Sequence, residues 1–105
     1  MNANLNKDSL DYLFKAITTL ETVDDCRKFF EDLCTIPELK AMSQRLMVAK
    51  MLSEKKVYSQ IVEETGASTA TISRVNRSLN YNGCDGYALV FERLKRSADD
   101  NTGED

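Results

Sequence analysis

Between Gly66 and Arg77 the chain reads Gly-Ala-Ser-Thr-Ala-Thr-Ile-Ser-Arg-Val-Asn-Arg, a run of hydroxyls and guanidiniums with no acid among them. Hydroxyls donate to and accept from base edges, a methyl-sized side chain such as Ala70 suits the thymine methyl, and arginine meets phosphate. The chemistry on offer is therefore recognition of double-stranded DNA rather than bond breaking. For catalysis the sequence provides little: there is no histidine, no phosphate-binding loop and no pair of carboxylates at a recognisable cleft, so no catalytic residue is assigned. Cys26, Cys34 and Cys84 form no C-x-x-C pair and have no histidine to complete a zinc site. They read as reduced, half-buried thiols, and neither a metal nor another cofactor is expected.

Recognition requires that these side chains be presented from a rigid support, and the flanking spacing supplies one. Apolar periodicity predicts a short helix from Tyr58 to Thr65 and a second from Thr69 to about Leu79, a helix-turn-helix running from about Val57 to Leu79. Gly66 takes the sharp bend, Ser68 caps the following helix, and Ile61, Val62, Ala67, Ile72 and Val75 take the inward positions. What remains pointing outward is Thr69, Ala70, Ser73, Arg74 and Arg77. Thr69, Ala70 and Ser73 are placed to read bases, and Arg77 with Gln60 to hold the backbone. Arg74 and the capping Ser68 complete the candidate DNA-binding set.

The elements around this unit are also helical, since no segment alternates as a half-buried strand does. Leu10, Leu13, Phe14, Ile17 and Leu20 form one stripe, with Asp8 and Ser9 as candidate caps. Thr22 and Asp25 open a second helix that turns Cys26, Phe29, Phe30 and Leu33 inward and ends near Cys34. Thr35-Ile-Pro-Glu38 is a capping box with Pro37 in the first turn, and it starts the longest helix, ending near Glu54. There Leu39, Met42, Leu46, Ala49 and Leu52 make one stripe while Met47, Val48 and Met51 lie to its side. One face cannot bury both sets, so the surplus is expected to meet a second copy of the chain, giving a homodimer. Glu54-Lys55-Lys56 reads as a linker. After a turn-rich connection from Asn80 to Asp85 containing Gly83, a last helix carries Tyr87, Val90, Phe91 and Leu94 and is expected to dock on the partner subunit. Tyr81 and Tyr87 read as structural aromatics.

With 105 residues the chain fits one domain, an all-α fold of about six helices. The domain is expected over residues 9–97, between a flexible start at 1–8 and a disordered acidic tail at 98–105. The formal net charge is −3, but Asp99, Asp100, Glu104 and Asp105 in that tail account for more than the whole excess of acid, leaving the recognition segment locally basic. No apolar run approaches membrane-spanning length, and Met1 to Ser9 lack the pattern of a secretory signal, so no membrane partner and a cytoplasmic location are expected.

The segment Gly66 to Arg74 resembles the recognition segment of the tryptophan repressor. From about Phe29 to Leu94 the order of elements is similar, and Glu31 to Leu46 and Asn80 to Leu94 look closer still to the YerC/YecD branch of Trp-repressor-related proteins. The resemblance implies an intertwined dimer of six helices per subunit, with the long third helix at the subunit interface. It also implies a vestigial ligand pocket: Arg45 and Arg74 are similar to the two arginines that sandwich the corepressor indole, and Thr35 and Ser78 match two further pocket residues. The family has glycine directly after the second arginine, whereas this chain has Val75, a side chain that fills the indole slot. The expectation is a DNA-binding regulator, a repressor by resemblance, without tryptophan as corepressor and with no other small-molecule effector assigned. The competing expectation is a protein-interaction module on the same helical scaffold, for which the acidic balance speaks.

Overall fold

Six stretches of helical spacing become six helices, and a computed structural model describes residues 6–80 and 85–103. They are α1 (Lys7–Ile17), α2 (Val23–Leu33), α3 (Ile36–Ser53), α4 (Tyr58–Thr65), α5 (Thr69–Asn80) and α6 (Gly86–Gly103). Among the described residues there is no strand, and no helix is long and apolar enough to cross a membrane. The chain groups into two compact units, the first ending at Leu39 and the second beginning at Lys40. The first five residues, and Tyr81, Gly83 and Cys84 of the expected turn, lie outside the described residues.

In the first unit the starts of the helices are set by side-chain caps. Asn6 Oδ1 accepts from the backbone N–H of Asp8 at 2.8 Å and of Ser9 at 3.2 Å, so α1 begins before the caps expected from the sequence. An asparagine in extended backbone satisfies both amides at once, and Asp8 then sits inside the first turn, where its charge suits the helix dipole. Thr22 Oγ1 accepts from Asp25 N at 3.0 Å while Asp25 Oδ2 accepts from Glu21 N at 3.1 Å. The Thr35–Glu38 capping box closes in both directions, Thr35 Oγ1 accepting from Glu38 N at 3.2 Å and Glu38 Oε1 accepting from Thr35 N at 2.8 Å. The Thr35 backbone N–H, followed by its hydroxyl, holds the Glu38 carboxyl below its ordinary value of 4.5. Because the folded value is depressed, the cap's contribution is complete above that ordinary value and is lost as pH falls through the lower one.

Burial does not follow the expected inward pattern here. Neither α1 nor α2 holds a buried residue. Cys26 and Leu33, expected to face inward, are exposed, and Phe29 and Phe30 are half-buried. Tyr12, Val23 and Ile36 are 75%, 73% and 72% exposed. α1 and α2 are thus amphipathic helices whose apolar side chains are left partly open to solvent.

The second unit has a core. Val48, Ala49 and Met51 of α3, Ile61 of α4, Ala67 of the turn, and Ile72 and Val75 of α5 are buried together, and Leu52, Tyr87 and Phe91 pack against them. Tyr87 and Phe91 stack with centroids 6.0 Å apart. Thus α6 docks Tyr87 and Phe91 on the core of its own unit and leaves Leu89, Val90 and Leu94 exposed. On α3 the two expected stripes are also redistributed. Val48 and Met51, from the side set, enter the core with Ala49, while Leu46 and Met47 remain 43% and 48% exposed.

Two ends of helices carry further information. α3 closes with Lys56 N donating to Met51 O at 3.0 Å and Lys55 N to Leu52 O at 3.0 Å, around Lys55 at φ 65°. This Schellman arrangement places a left-handed residue where glycine is usual. Lys55→Gly is accordingly expected to raise stability by about 1 kcal/mol, measured as a higher urea midpoint at unchanged slope. At the other end of the chain, α6 continues to Gly103, so residues 98–103 are helical where composition predicts a disordered tail. Extending an existing helix adds one hydrogen bond per residue without a new nucleus, so this segment does not need the buried surface that the compositional reading demands.

Candidate nucleic-acid interface

The α4–α5 pair is built around a bend that only a few residue types accept. Gly66 adopts φ 73°, ψ 4° and its N–H donates to Val62 O at 2.9 Å, ending α4. Thr65 pins the bend from one side: its Oγ1 donates to Ile61 O at 2.7 Å and accepts from Ala67 N at 3.1 Å. From α3, Gln44 Nε2 donates to Thr65 O at 3.1 Å. Ser68 then starts α5, its Oγ accepting from Thr71 N at 3.1 Å and donating to Thr71 Oγ1 at 3.1 Å. Bend, cap and core therefore agree on one orientation of α5.

That orientation separates two faces. Ile72 and Val75 are buried at 0% and 2% exposure, while Thr69, Ala70, Ser73, Arg74 and Arg77 are all exposed. Neither arginine makes an ion pair with another described residue, and α5 contains no acid. Two uncommitted guanidiniums and two hydroxyls on one face can donate to phosphates and base edges without first breaking an internal bond.

Other expected site residues are placed differently. Gln60 is half-buried and its amide donates to Glu64 Oε2 at 2.8 Å, so it is engaged along its own helix. The Ser68 hydroxyl is taken up by the cap. Val62, expected inward, is 36% exposed because it follows Ile61 around α4, and only Ile61 of the two can reach the core. Of the residues matched to a ligand pocket, Thr35 belongs to the first unit and serves as the α3 cap. Arg45 is half-buried on α3, and Val75 is a core residue. Ser78 is exposed and lines a groove of about 470 Å³ with Leu46, Leu79, Tyr87 and Val90, whose lining includes none of Arg45, Arg74 or Val75. Among the described residues no group of three His, Cys, Asp or Glu could hold a metal ion.

Sequence reasoning did not find Gln44 and Thr65. A threonine two residues before a helix-turn-helix alanine is a local signal for a turn hydrogen bond. Gln44 is 21 positions from its acceptor, and no local pattern announces it.

The model of the Trp repressor protein family matches residues 8–95, a span that includes the whole α4–α5 pair. This chain belongs to the Trp repressor protein family. It is 47% identical over 100 residues to the uncharacterized protein YerC of Bacillus subtilis, covering 95% of each chain. A candidate Trp repressor from Staphylococcus aureus superimposes with a TM-score of 0.81 at 50% identity, covering 86% of this chain and 89% of that one. A TrpR-like protein from Eubacterium eligens gives 0.82 at 57% identity, covering 90% and 96%. The family, its YerC relative and the six-helix order agree with the resemblance carried by Gly66 to Arg74. The departure at Val75 thus lies within a Trp-repressor-like fold.

Proposed function

We propose that this chain is a sequence-specific DNA-binding regulator, a repressor, that works in the cytoplasm as a homodimer without tryptophan as corepressor. The observation that carries the reading is the division of α5 into a buried Ile72–Val75 side and an exposed side of Thr69, Ala70, Ser73, Arg74 and Arg77. Thr69, Ala70 and Ser73 read bases in the major groove, and Arg74 and Arg77 meet phosphate. Gln60 and Ser68 contribute through geometry, since their polar atoms already serve α4 and the α5 cap.

The dimer is supported by surface that one chain leaves open. Besides α1 and α2, the second unit has a groove of about 510 Å³ floored by Leu46, Met47, Phe91 and Leu94. Two copies related by a twofold axis would place their α5 helices in successive major grooves, roughly 34 Å apart, on a near-palindromic site. Absence of a tryptophan switch is supported by Val75, whose side chain belongs to the core that a glycine would leave empty.

Selection of bound sequences from a random duplex pool tests the reading. Enrichment of a near-palindrome with half-sites one helical turn apart is expected, and retention of that duplex should not change when tryptophan is added. A calorimetric titration is expected to show no tryptophan heat at micromolar concentrations. Enrichment of nothing would remove the DNA reading, and a micromolar tryptophan isotherm would remove the effector part of it.

A further inference from the structure

The α4–α5 bend packs on α3 through Ala67 in the shared core, and a hydrogen bond adds direction to that packing. Among the described residues, Gln44 makes the side-chain hydrogen bond that joins α3 to this bend, donating to Thr65 O at 3.1 Å. Thr65 passes the constraint on, because its Oγ1 accepts from Ala67 N at 3.1 Å and Ala67 is itself a buried core residue. The carbonyl that Gln44 reaches is one of the last of α4, a group with no acceptor-satisfying amide inside its own helix. Gln44 and Thr65 are both half-buried, a setting in which such a bond is less open to exchange with water than one at the surface.

We infer that Gln44 is a positioning residue for DNA recognition: by holding the end of α4 to α3 it fixes the angle at which α5 presents Thr69, Ser73 and Arg74. The inference rests on the DNA-binding reading above and adds to it a residue that touches no nucleic acid. Base readout depends on donor and acceptor positions within a few tenths of an ångström, whereas phosphate attraction does not, so loosening this tie acts on specific binding and spares non-specific binding.

The chemistry of the acceptor dictates the variants. Gln44→Met keeps length and removes the donor; Gln44→Glu presents an acceptor to an acceptor; Gln44→Lys restores a donor of similar reach. With the full chain, two quantities are measured: amide hydrogen exchange at Ala67 against that at Ile72, and affinity for the selected duplex against an unrelated duplex. For Gln44→Met and Gln44→Glu we expect Ala67 exchange to quicken about tenfold, with Ile72 unchanged. Affinity for the selected duplex should fall about tenfold with the unrelated duplex unaffected, the size of one lost hydrogen bond. Gln44→Lys should restore most of both. Wild-type behaviour of Gln44→Met, or equal loss on both duplexes with faster exchange throughout α5, overturns the inference. Should Gln44→Met fail to fold, Gln44→Glu, which removes the donor while keeping length and polarity, is read by the same criteria. If the wild-type protein retains no duplex, the DNA reading falls by itself, and amide exchange alone then decides whether Gln44 orders the bend.

Discussion

The pair Arg74→Ala and Arg77→Ala is expected to lower affinity for the selected duplex by about a hundredfold or more, with little change in folding. Both guanidiniums are exposed on α5 and neither is committed to an ion pair with a described residue, so removal should shift stability by no more than about 0.5 kcal/mol. Charge-assisted hydrogen bonds contribute about 1.5–3 kcal/mol each, and a dimer would lose two from each subunit. With fewer phosphates neutralised, binding also releases fewer counterions, so the dependence of log affinity on log salt should become shallower by about 0.9 for each phosphate left without its arginine. Thr69→Ala and Ser73→Ala serve as the contrast, since they should relax sequence preference and leave the salt slope alone. Undiminished retention of the duplex by the double variant would remove α5 from the interface. Undiminished capture of a protein partner, with no duplex bound by any form, would instead favour an interaction module on this scaffold.

The second large effect concerns the support. Ile72 is fully buried in a core of seven described residues, and Ile72→Ala is expected to cost about 2–5 kcal/mol through lost transfer energy and the cavity left behind. Few other apolar side chains are buried with it, so there is little material to collapse into the space. A domain of this size is held by about 5–15 kcal/mol in total, which makes such a loss a large fraction of its stability. The expected reading is a fall in the thermal midpoint of roughly 8–40 °C, on the scale of 4–8 °C per kcal/mol. Val62→Ala, at a position 36% exposed, should cost less than about 1 kcal/mol. A small effect at Ile72 and a large one at Val62 would mean that α4 and α5 pack in a register other than the one described.

Much of this is legible residue by residue. The Thr22–Asp25 and Thr35–Glu38 caps, the Gly66 bend and the Ser68 cap are local devices, decided within four residues, and each makes the expected hydrogen bonds or backbone angle. The bounds of α4 are legible too, because a left-handed glycine ends it and no propensity argument competes there. Local reasoning fails where two local solutions are close in energy. Asn6, and not Asp8 or Ser9, caps α1, as each of the three residues can cap a helix and only the actual chain path selects among them. It fails again at residues 98–103, where composition argues for disorder and propagation of an existing helix prevails.

By itself the sequence determined the six helices, their order and the exposed character of the α5 hydroxyls and arginines, because caps, bends and a 3.6-residue period act over a few positions. The tertiary structure alone decided that Val48 and Met51 enter the core while Leu46 and Met47 stay at the surface, and that Gln44 reaches Thr65. Those choices depend on which side chains meet across helices many residues apart, and a helix such as α3, apolar on several sides, carries no local mark of the side its neighbours will cover.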